Sequence, residues 1–351
     1  MNISVIGTGS FGTSLSMVLN DNDNRVMMYG RNKDTVLEIN ESHTNDRYLK
    51  NIELSEGIKA TASLEEAAAH AELLVLAVPV NAMRPVATEL NGLLKTLDKK
   101  VLVVHVAKGL ELDTYKRVSQ VLEEVFDEDR VTDIGVLSGP SHAEEVALKQ
   151  PTTVSTASIR EEGAKVIQDA FMTDYFRVYV NNDMVGVEIG GALKNIVALA
   201  VGALSGYGFG DNPKAAVITR GLHEIARLGT KLGANPLTFL GLTGMGDLIV
   251  TATSQHSRNY RCGQMLAGGM SLEEATKKMG MVVEGVNTTR ATYELAKQYD
   301  VDMPITKVLY GYLFNGISED EAFNALMKRE KTSESEGLKQ LLESQIKNSK
   351  Q

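Results

Sequence analysis

The sequence predicts an α/β domain followed by an all-α domain, and three observations support this division. An apolar strand at residues 3–6 runs directly into a glycine-rich turn and then into a helical pattern. Apolar runs typical of buried parallel strands then alternate with helical patterns. Beyond residue 183 the strands stop and helical periodicity continues. We therefore expect domains at residues 1–182 and 183–330, with a polar extension at residues 331–351.

The first element is a strand–turn–helix unit whose turn reads Gly7-Thr8-Gly9-Ser10-Phe11-Gly12. In such a turn Gly7 permits the tight bend, Gly9 admits a pyrophosphate close to the backbone, and Gly12 lets helix and strand pack closely. The N–H groups at the helix start then face the phosphates. A bare structural turn is the alternative, but the correct flanking elements favour a dinucleotide-binding, Rossmann-like domain.

The remaining elements follow in chain order. Further strands are expected at residues 25–29, 73–78, 101–107 and 134–137, with segments that can add edge strands at 152–156 and 177–180. Helices between them are expected at residues 64–71, 83–94 and 114–126. Repeated β-α-β units predict a parallel sheet. In the second domain, helices are expected at residues 184–204, 214–232, 271–279, 287–299, 305–314 and 319–328.

Composition and charge limit the function classes. The chain of 351 residues has 43% hydrophobic residues and a net charge of −9, which argues against nucleic acid as the main partner. Its one cysteine, Cys262, excludes an intrachain disulfide and fits a reducing compartment. No signal peptide precedes the first strand, and no apolar run is expected to reach transmembrane length. We expect a cytoplasmic protein without stable membrane insertion.

Cofactor choice depends on the residue that follows the second strand. Folds that bind NAD usually place an acidic residue there to hold the ribose hydroxyls. This chain has Arg31 instead, and an arginine can pair with a 2′-phosphate. A solvated loop arginine is the alternative. We predict NADP as an accepted cofactor and leave NAD open.

Two further strand ends carry polar residues. Lys108 follows the strand that begins at Val101, at the edge of the sheet where sites are built, and suits an anion or a carbonyl oxygen. Gly139 and Ser141 follow the next strand, and their N–H groups and hydroxyl can hold substrate oxygens. A surface lysine and a plain turn are the alternatives. We expect the substrate between the two domains, near the glycine turn.

Lys194 is the residue of the second domain for which the sequence predicts a function most specifically. It lies in the middle of a glycine-rich apolar helix, and Gly190, four residues earlier, is expected to leave room above it. Burial there would lower the pKa of the lysine, as a base acting near neutrality needs. A lysine that reaches solvent from an amphipathic face is the alternative.

Further along the second domain lie two more groups of polar residues. Asp247 can accept hydrogen bonds from substrate hydroxyls, and Ser257 is placed to cap a helix whose next residue, Arg258, suits a phosphate. The histidines show no metal-ligand spacing, so we predict no metal.

These motifs together resemble a known family. They occur in this order: Gly7 to Gly12, Ala107-Lys108-Gly109-Leu110, Ser138-Gly139-Pro140-Ser141, Gly190-Gly191-Ala192-Leu193-Lys194-Asn195, Gly244-Met245-Gly246-Asp247-Leu248, Ser257-Arg258-Asn259 and Val283-Glu284-Gly285. The chain is similar, over about residues 1–330, to the bacterial NAD(P)-dependent glycerol-3-phosphate dehydrogenases. The resemblance implies interconversion of sn-glycerol 3-phosphate and dihydroxyacetone phosphate, supply of glycerophospholipid synthesis, and a homodimer.

The resemblance also implies residue roles. Lys194 matches the catalytic proton acceptor, with Lys108 polarising the same oxygen. Cofactor contacts correspond to Gly7, Gly9, Ser10, Phe11, Gly12, Arg31, Lys108, Ala143, Arg258, Val282 and Glu284. Substrate contacts correspond to Lys108, Gly139, Ser141, Lys194, Asp247, Ser257, Arg258 and Asn259. Of these, Glu284 is indicated by the resemblance alone.

Two rival functions stay open. The β-hydroxyacid dehydrogenases also join a Rossmann domain to a helical domain and use a helix lysine followed by asparagine, but they act on carboxylates. A silent dinucleotide sensor would not need Lys108, Lys194 and Asp247 together. Beyond the resemblance, a polar linker leads to an apolar helical face, and we expect this extension to be dispensable for chemistry; the face comprises Leu338, Leu341, Leu342 and Ile346.

Overall fold

The computed structural model describes residues 1–329, 331, 333 and 334. The predicted apolar face of the C-terminal extension, and its dispensability, lie outside these residues. The chain forms two compact units: Met1–Lys108 with Val118–Met184, and Gly109–Arg117 with the chain from Val185 onward. The division at residue 182 made no allowance for Gly109–Arg117, which belongs with the second unit.

The first unit contains ten strands in the described chain. As β1 to β10 they are Asn2–Ile6, Arg25–Tyr29, Thr44–Asn45, Leu49–Glu53, Lys59–Thr61, Leu73–Leu76, Val101–His105, Val131–Ser138, Thr152–Ser158 and Phe176–Val180. Eight of them form one sheet in the order β10-β9-β8-β7-β6-β1-β2-β5, and β3 pairs with β4 separately. The sheet therefore places the carboxyl ends of β1, β2 and β7 at one edge, since these strands are parallel to their neighbours.

The expectation of a wholly parallel sheet is wrong at one pair, because β9 runs antiparallel to β8. The connection between them carries a helix of only five residues, Ala143–Ala147. A parallel pair needs a longer crossover, usually through a full helix that packs on the sheet. The last two strands therefore extend the sheet in the opposite direction.

Seven helices accompany the strands of the first unit. As α1 to α7 they are Ser10–Asp21, Lys33–Glu41, Leu64–His70, Val80–Thr96, Val118–Val125, Ala143–Ala147 and Glu161–Phe171. Successive residues of β6 alternate between two apolar clusters, with Leu73 and Val75 in one and Leu74 and Leu76 in the other. Both faces of the sheet are thus buried, as the continuous apolar run predicts.

The helix expected at residues 114–126 begins only at Val118, so that expectation is wrong at its start. The preceding segment folds back on itself, with an antiparallel bridge between Leu110 and Arg117. The side chain of Leu110 is buried in the apolar core of the second unit. Tyr115 has a φ of 59°, and this left-handed backbone conformation is incompatible with a helix that begins at residue 114.

The described residues of the second unit from Val185 onward form helices and connecting loops, without a strand. As α8 to α15 its helices are Met184–Gly206, Asp211–Lys231, Asp247–Thr253, Arg258–Ala267, Leu272–Met279, Glu284–Gln298, Pro304–Phe314 and Glu319–Met327. A 3-10 helix, Pro236–Leu240, and a π-helix, Leu242–Gly246, precede α10. Sequence periodicity missed these two short helices and α10, whereas the helix that follows Ser257 was expected.

Helix α8 is the central element of the second unit's core. It is long and apolar enough to cross a membrane, so the expectation that no apolar run reaches that length is wrong. However, 83% of its most apolar 18-residue window is buried within the protein. The apolarity of α8 is accounted for by packing, as in the core helix of a globular unit.

Candidate functional site

The glycine turn of the first unit is fixed by contacts that only glycine permits. Gly7 has a φ of 126°, and its N–H donates to the carbonyl of Tyr29 over 2.9 Å. A Cβ at Gly7 would lie 2.5 Å from the carbonyl oxygen of Ala77, and one at Gly12 would lie 2.2 Å from the carbonyl oxygen of Gly7. These two glycines therefore let strand, turn and helix pack together.

Gly9 differs from its two neighbours because it faces open space. A Cβ built on it meets no atom within 4 Å. Gly9 is the N-cap of α1, where no side chain caps the helix and no acidic residue lies in the first turn. The first N–H groups of α1 thus face an open, anion-favouring position, which fits the pyrophosphate of a dinucleotide. Ser10 and Phe11 begin this helix and are half-buried.

Arg31 lies just beyond the carboxyl end of β2, where a dinucleotide-binding fold recognises the ribose. Its side chain is exposed. Asn32 caps the following helix, accepting a hydrogen bond from the Asp34 N–H over 2.8 Å. The cap fixes the backbone that follows Arg31, and the exposed guanidinium can meet a phosphate.

The carboxyl ends of β7 and β8 bring Lys108 and Ser141 together around one carbonyl. The ammonium of Lys108 and the hydroxyl of Ser141 each donate to the carbonyl oxygen of Gly139 over 2.9 Å. Gly139 has a φ of 147°, and a Cβ there would lie 2.9 Å from the Cα of Val154. Ala143, two residues after Ser141, is the first residue of α6 and is buried. Both polar side chains are half-buried.

In the second unit, Lys194 is buried in a polar cluster. Its side chain forms an ion pair with Asp247 and donates to the hydroxyl of Thr251 over 2.6 Å. That hydroxyl donates in turn to the carbonyl oxygen of Asp247 over 2.6 Å. Lys194 and Asp247 are 5% and 1% exposed, respectively. Two side chains of α10 therefore hold Lys194 in position.

The expectation that Gly190 leaves room above Lys194 is wrong. A Cβ at Gly190 would lie 2.5 Å from the carbonyl oxygen of Thr243. The glycine therefore admits the backbone that leads into Asp247, and the space is filled by protein. This close approach brings the π-helix against α8 and sets Asp247 beside Lys194.

A second polar cluster joins three helices of this unit. The side-chain amide of Asn259 donates to the side-chain oxygen of Asn195 over 2.8 Å and accepts from the N–H of Gly285 over 2.8 Å. A Cβ at Gly285 would lie 2.7 Å from the carbonyl oxygen of Asn195. Asn259, which we expect to contact substrate, therefore also holds α8, α11 and α13 together. Its partner on α8, Asn195, directly follows Lys194 in the sequence.

The start of α11 has the form that the sequence predicts. Ser257 is its N-cap, and its hydroxyl accepts from the N–H of Tyr260 over 3.3 Å. Arg258 is exposed, and its guanidinium donates to the carbonyl oxygen of Val282 over 3.0 Å. Glu284, the first residue of α13, is half-buried. A helix start with an arginine beside it is suited to an anion.

Residue-level reasoning missed three side chains that build this region. Thr251 lies four residues after Asp247 on α10, and that helical spacing was the available signal. The buried ion pair of Arg117 and Glu188 ties the segment before α5 to α8, and no local pattern indicates it. Among the described residues, no group of three or more His, Cys, Asp or Glu side chains is placed to hold a metal ion.

Comparison with known proteins shows the family to which this chain is related. Residues 2–164 match the family model of the NAD-dependent glycerol-3-phosphate dehydrogenase N-terminus, and residues 183–324 match that of the C-terminus. The glycerol-3-phosphate dehydrogenase (NAD(P)+) of Macrococcus caseolyticus is 54% identical over 334 residues, covering 95% of this chain and 100% of the relative. That of Bacillus subtilis is 52% identical over 345 residues, covering 98% and 99%.

A solved structure extends the similarity to three dimensions. The crystal structure of glycerol-3-phosphate dehydrogenase from Coxiella burnetii is 34% identical and has a TM-score of 0.87. The match covers 93% of this chain and 98% of that one. With both of its units matched by the family models and most of its length shared with these relatives, the chain belongs to the NAD-dependent glycerol-3-phosphate dehydrogenase family.

Proposed function

We propose that this protein interconverts sn-glycerol 3-phosphate and dihydroxyacetone phosphate with NAD(P), using Lys194 as the group that exchanges the substrate's hydroxyl proton. The observation that carries the proposal is the buried lysine held by Asp247 and Thr251 in a chain of this family. A buried, oriented amine beside a carboxylate is suited to general acid–base chemistry.

When bound, NAD(P) supplies the hydride acceptor or donor for the secondary carbon of the substrate. In the oxidative direction, neutral Lys194 accepts the proton of the substrate hydroxyl. In the reductive direction, its ammonium form returns that proton to the oxygen. Asp247 and Thr251 hold the side chain in position and stabilise its charged form, and acid–base help of this kind contributes about 10²–10⁴-fold to the rate.

The remaining polar residues would orient the substrate. Lys108 places a positive charge at the strand edge, suited to polarising the carbonyl oxygen of dihydroxyacetone phosphate. Ser141 and the backbone of Gly139 complete that edge. The helix start at Ser257, with Arg258, is suited to the phosphate group. Asn259 adds an amide next to them.

The cofactor would be held mainly by backbone. Gly7, Gly9 and Gly12 shape the turn, and the N–H groups of Ser10 and Phe11 face the pyrophosphate. Arg31 is suited to a 2′-phosphate, which favours NADP. NAD, which lacks this phosphate, stays open as a second cofactor. The resemblance adds Ala143, Arg258, Val282 and Glu284 to the cofactor contacts.

The wider role follows from the family. We expect a cytoplasmic homodimer that supplies glycerol 3-phosphate to glycerophospholipid synthesis, without a nucleic-acid partner or stable insertion in a membrane. The net charge of −9 supports the first absence, and the burial of the apolar helix α8 supports the second.

One assay tests the proposed reaction. Purified protein is mixed with NADPH and dihydroxyacetone phosphate, and the absorbance of the reduced cofactor is followed; NADH and a β-keto acid serve as parallel reactions. We expect rapid oxidation with the triose phosphate and less than about 1% of that rate with the keto acid. Faster turnover of the keto acid would favour the β-hydroxyacid dehydrogenases, and cofactor binding without any turnover would favour a sensor.

A further inference from the structure

The chain leaves the first unit directly after Lys108 and returns to it at Val118. The residues between, Gly109–Arg117, belong with the second unit, and we call them the 109–117 segment. Lys108 is therefore joined by a peptide bond to a segment that packs elsewhere, although its own ammonium donates to Gly139 in the first unit. This connection makes the segment a candidate for controlling where Lys108 lies.

The two ends of the 109–117 segment are bonded to each other. Leu110 and Arg117 form an antiparallel bridge, and the N–H of Glu111 donates to the carbonyl of Lys116 over 3.0 Å. Leu110 is 3% exposed and belongs to the apolar core of the second unit. Because its ends are bonded together, the segment moves as one piece, and a contact that anchors one end also anchors the other.

Arg117 anchors the segment to α8 through Glu188. The two side chains form an ion pair and are 18% and 4% exposed, respectively. Glu188 lies in an apolar helix, where a carboxylate that is almost fully buried needs a charged or hydrogen-bonding partner. The same helix carries Lys194. The helix of the acid–base lysine therefore also holds the segment that follows Lys108.

A buried ion pair contributes more to geometry than to stability. Replacing such a pair by apolar residues of similar size is often neutral or even stabilising, whereas charged hydrogen bonds to a guanidinium fix distance and direction. Three apolar side chains of the 109–117 segment already pack in or against the core of the second unit; they are Leu110, Leu112 and Tyr115. Burial of the segment therefore does not require the ion pair, and the position that the pair imposes is the better explanation for it.

Lys108 has little freedom to move independently of this anchor. Leu110 follows it by two residues, so the two Cα atoms lie within about 7 Å of each other. An ammonium polarises a carbonyl oxygen only at hydrogen-bond distance, and a misplacement of about 1 Å can lower a rate roughly 100-fold. A small shift of the segment would therefore reach a residue that takes part in the proposed chemistry.

We propose that Arg117 and Glu188 are positioning residues for the reaction, because their ion pair holds the 109–117 segment on α8 and thereby places the ammonium of Lys108. The inference rests on the proposed function, in which Lys108 polarises the carbonyl oxygen of the substrate. Neither residue of the pair acts on the substrate directly.

A double-mutant cycle with Lys108 tests whether the pair acts through that lysine. We expect Arg117→Met to lower kcat for dihydroxyacetone phosphate about tenfold in the wild type but less than about twofold in Lys108→Met, which is itself slowed about 100-fold. A purely structural role would lower kcat by the same factor in both backgrounds. Equal factors would therefore overturn the proposal, as would a kcat of Arg117→Met equal to that of the wild type.

Two further variants separate position from stability. Arg117→Met/Glu188→Leu removes both charges, so it should melt no lower than Arg117→Met and yet stay about tenfold slow. Arg117→Lys keeps the charge and should recover kcat to within about threefold of the wild type. The affinity for NADPH, measured by titration, should stay within about twofold in every variant, since the cofactor site is not altered. Wild-type kcat in the charge-free double variant would overturn the proposal.

The matched control is Arg130→Met. The side chain of Arg130 is 20% exposed and pairs with Asp98 over 2.7 Å, so its burial is similar to that of Arg117. It directly precedes β8, at the end of that strand opposite to Gly139. We expect this variant to keep kcat within about twofold of the wild type.

Hydrogen exchange provides a readout that does not depend on turnover. The N–H groups of Glu111 and Tyr115 donate to carbonyls within the 109–117 segment, over 3.0 and 2.8 Å. Both should exchange at least about tenfold faster in Arg117→Met, whereas the amides of β7 should change by less than about twofold. Unchanged exchange of the segment would show that the ion pair does not hold it, and would overturn the proposal.

The outcomes also separate this inference from the proposed function. A wild type that does not turn over dihydroxyacetone phosphate overturns both. An active wild type in which the losses from Arg117→Met and Lys108→Met multiply overturns this inference alone, and Lys108 and Lys194 keep their proposed roles.

Discussion

The two units build their parts of the chemistry in opposite ways. The glycine turn of the first unit depends on the absence of side chains. Its anion-favouring space is open because Gly9 has no side chain and no side chain caps α1. The cluster around Lys194 is made by side chains that satisfy one another, from α8 and α10. The first arrangement uses backbone groups that every sequence has, and the second depends on particular side chains meeting.

This difference determines how each region responds to substitution. Adding atoms damages the glycine turn, either by collision with protein or by filling the space for a ligand. Removing atoms damages the lysine cluster, because each buried polar group loses a partner and pays the cost of desolvation. Five predictions, from the largest expected effect to the smallest, can sharpen or break this contrast.

The largest effect is expected at Lys194. Lys194→Met should lower kcat about 10³-fold, the middle of the range for acid–base catalysis, and leave the affinity for NADPH unchanged within about twofold. Stopped-flow turnover and cofactor titration measure both. Because the substitution leaves Asp247 buried without its cation, at a cost of about 3–5 kcal/mol, the double variant Lys194→Met/Asp247→Asn provides a more stable form.

The matched control is Lys307→Met, which removes an exposed lysine from α14 of the same unit and should leave kcat within about twofold. If either Lys194 variant keeps kcat within tenfold of the wild type, Lys194 is not the acid–base group.

In the first unit, Arg31→Met should discriminate between cofactors. Loss of a charged hydrogen bond worth about 1.5–3 kcal/mol would raise KM for NADPH roughly 10–100-fold and leave KM for NADH within about twofold. Steady-state kinetics with both cofactors measure the ratio. Arg31→Asp should widen it further, because it adds a repelling charge. Equal changes for the two cofactors would show that Arg31 does not contact the 2′-phosphate.

Substitutions of two glycines in the same turn should affect different properties, stability in one case and cofactor affinity in the other. Gly12→Ala forces a Cβ against backbone and should lower the free energy of unfolding by about 1–3 kcal/mol. Gly9→Ala meets no protein atom, so stability should change by less than about 0.5 kcal/mol while cofactor affinity falls about tenfold. Thermal unfolding and NADPH titration separate the effects, and unchanged affinity in Gly9→Ala would place the pyrophosphate elsewhere.

A smaller effect is expected at Thr251. Thr251→Val keeps the shape and removes one hydrogen bond to Lys194, so kcat should fall about 5–30-fold, equivalent to about 1–2 kcal/mol. Thr253→Val is the control, because the exposed Thr253 hydroxyl donates only to a helix carbonyl, that of Ile249, in the same way that Thr251 bonds to Asp247. Equal kcat values for the two variants would show that Thr251 does not position the lysine.

The smallest measured change, a few degrees in melting temperature, is expected from the buried carboxylate of Glu224. Burial raises the pKa of Glu224 to about 7, against hydrogen bonds from Ile305 and Thr306 and the charge of Arg227, which lower it. Because the folded-state pKa exceeds the ordinary 4.5, this contribution to stability is complete below pH 4.5 and is lost as the pH rises through 7.

The loss amounts to roughly 3 kcal/mol at most. Melting temperature should therefore fall by a few degrees between pH 5 and 8, and Glu224→Gln should flatten that dependence, whereas the exposed Glu273→Gln should not. An unchanged pH profile in Glu224→Gln would show that another group controls it.

Much of the fold was predictable because its signals are local. The glycine turn, the apolar strands and the Ser257 cap each depend on residues within a few positions of one another, where backbone geometry and periodicity act directly. The antiparallel β9 and the late start of α5 were not predictable in this way. The first depends on the short connection between β8 and β9, and the second depends on packing of Gly109–Arg117 with distant parts of the chain.

The sequence by itself determined the α/β and helical units, the helix that carries Lys194, the turn around Gly9 and the family to which the chain belongs. Only the tertiary structure decided that Gly190 admits the backbone of Thr243, and that Lys194 therefore meets Asp247 and Thr251. The physical reason is distance along the chain. The backbone freedom of a glycine and the cap of a helix depend on residues within a few positions of one another. The partner of the buried Lys194 lies 53 residues away in the sequence and is brought to it only by packing.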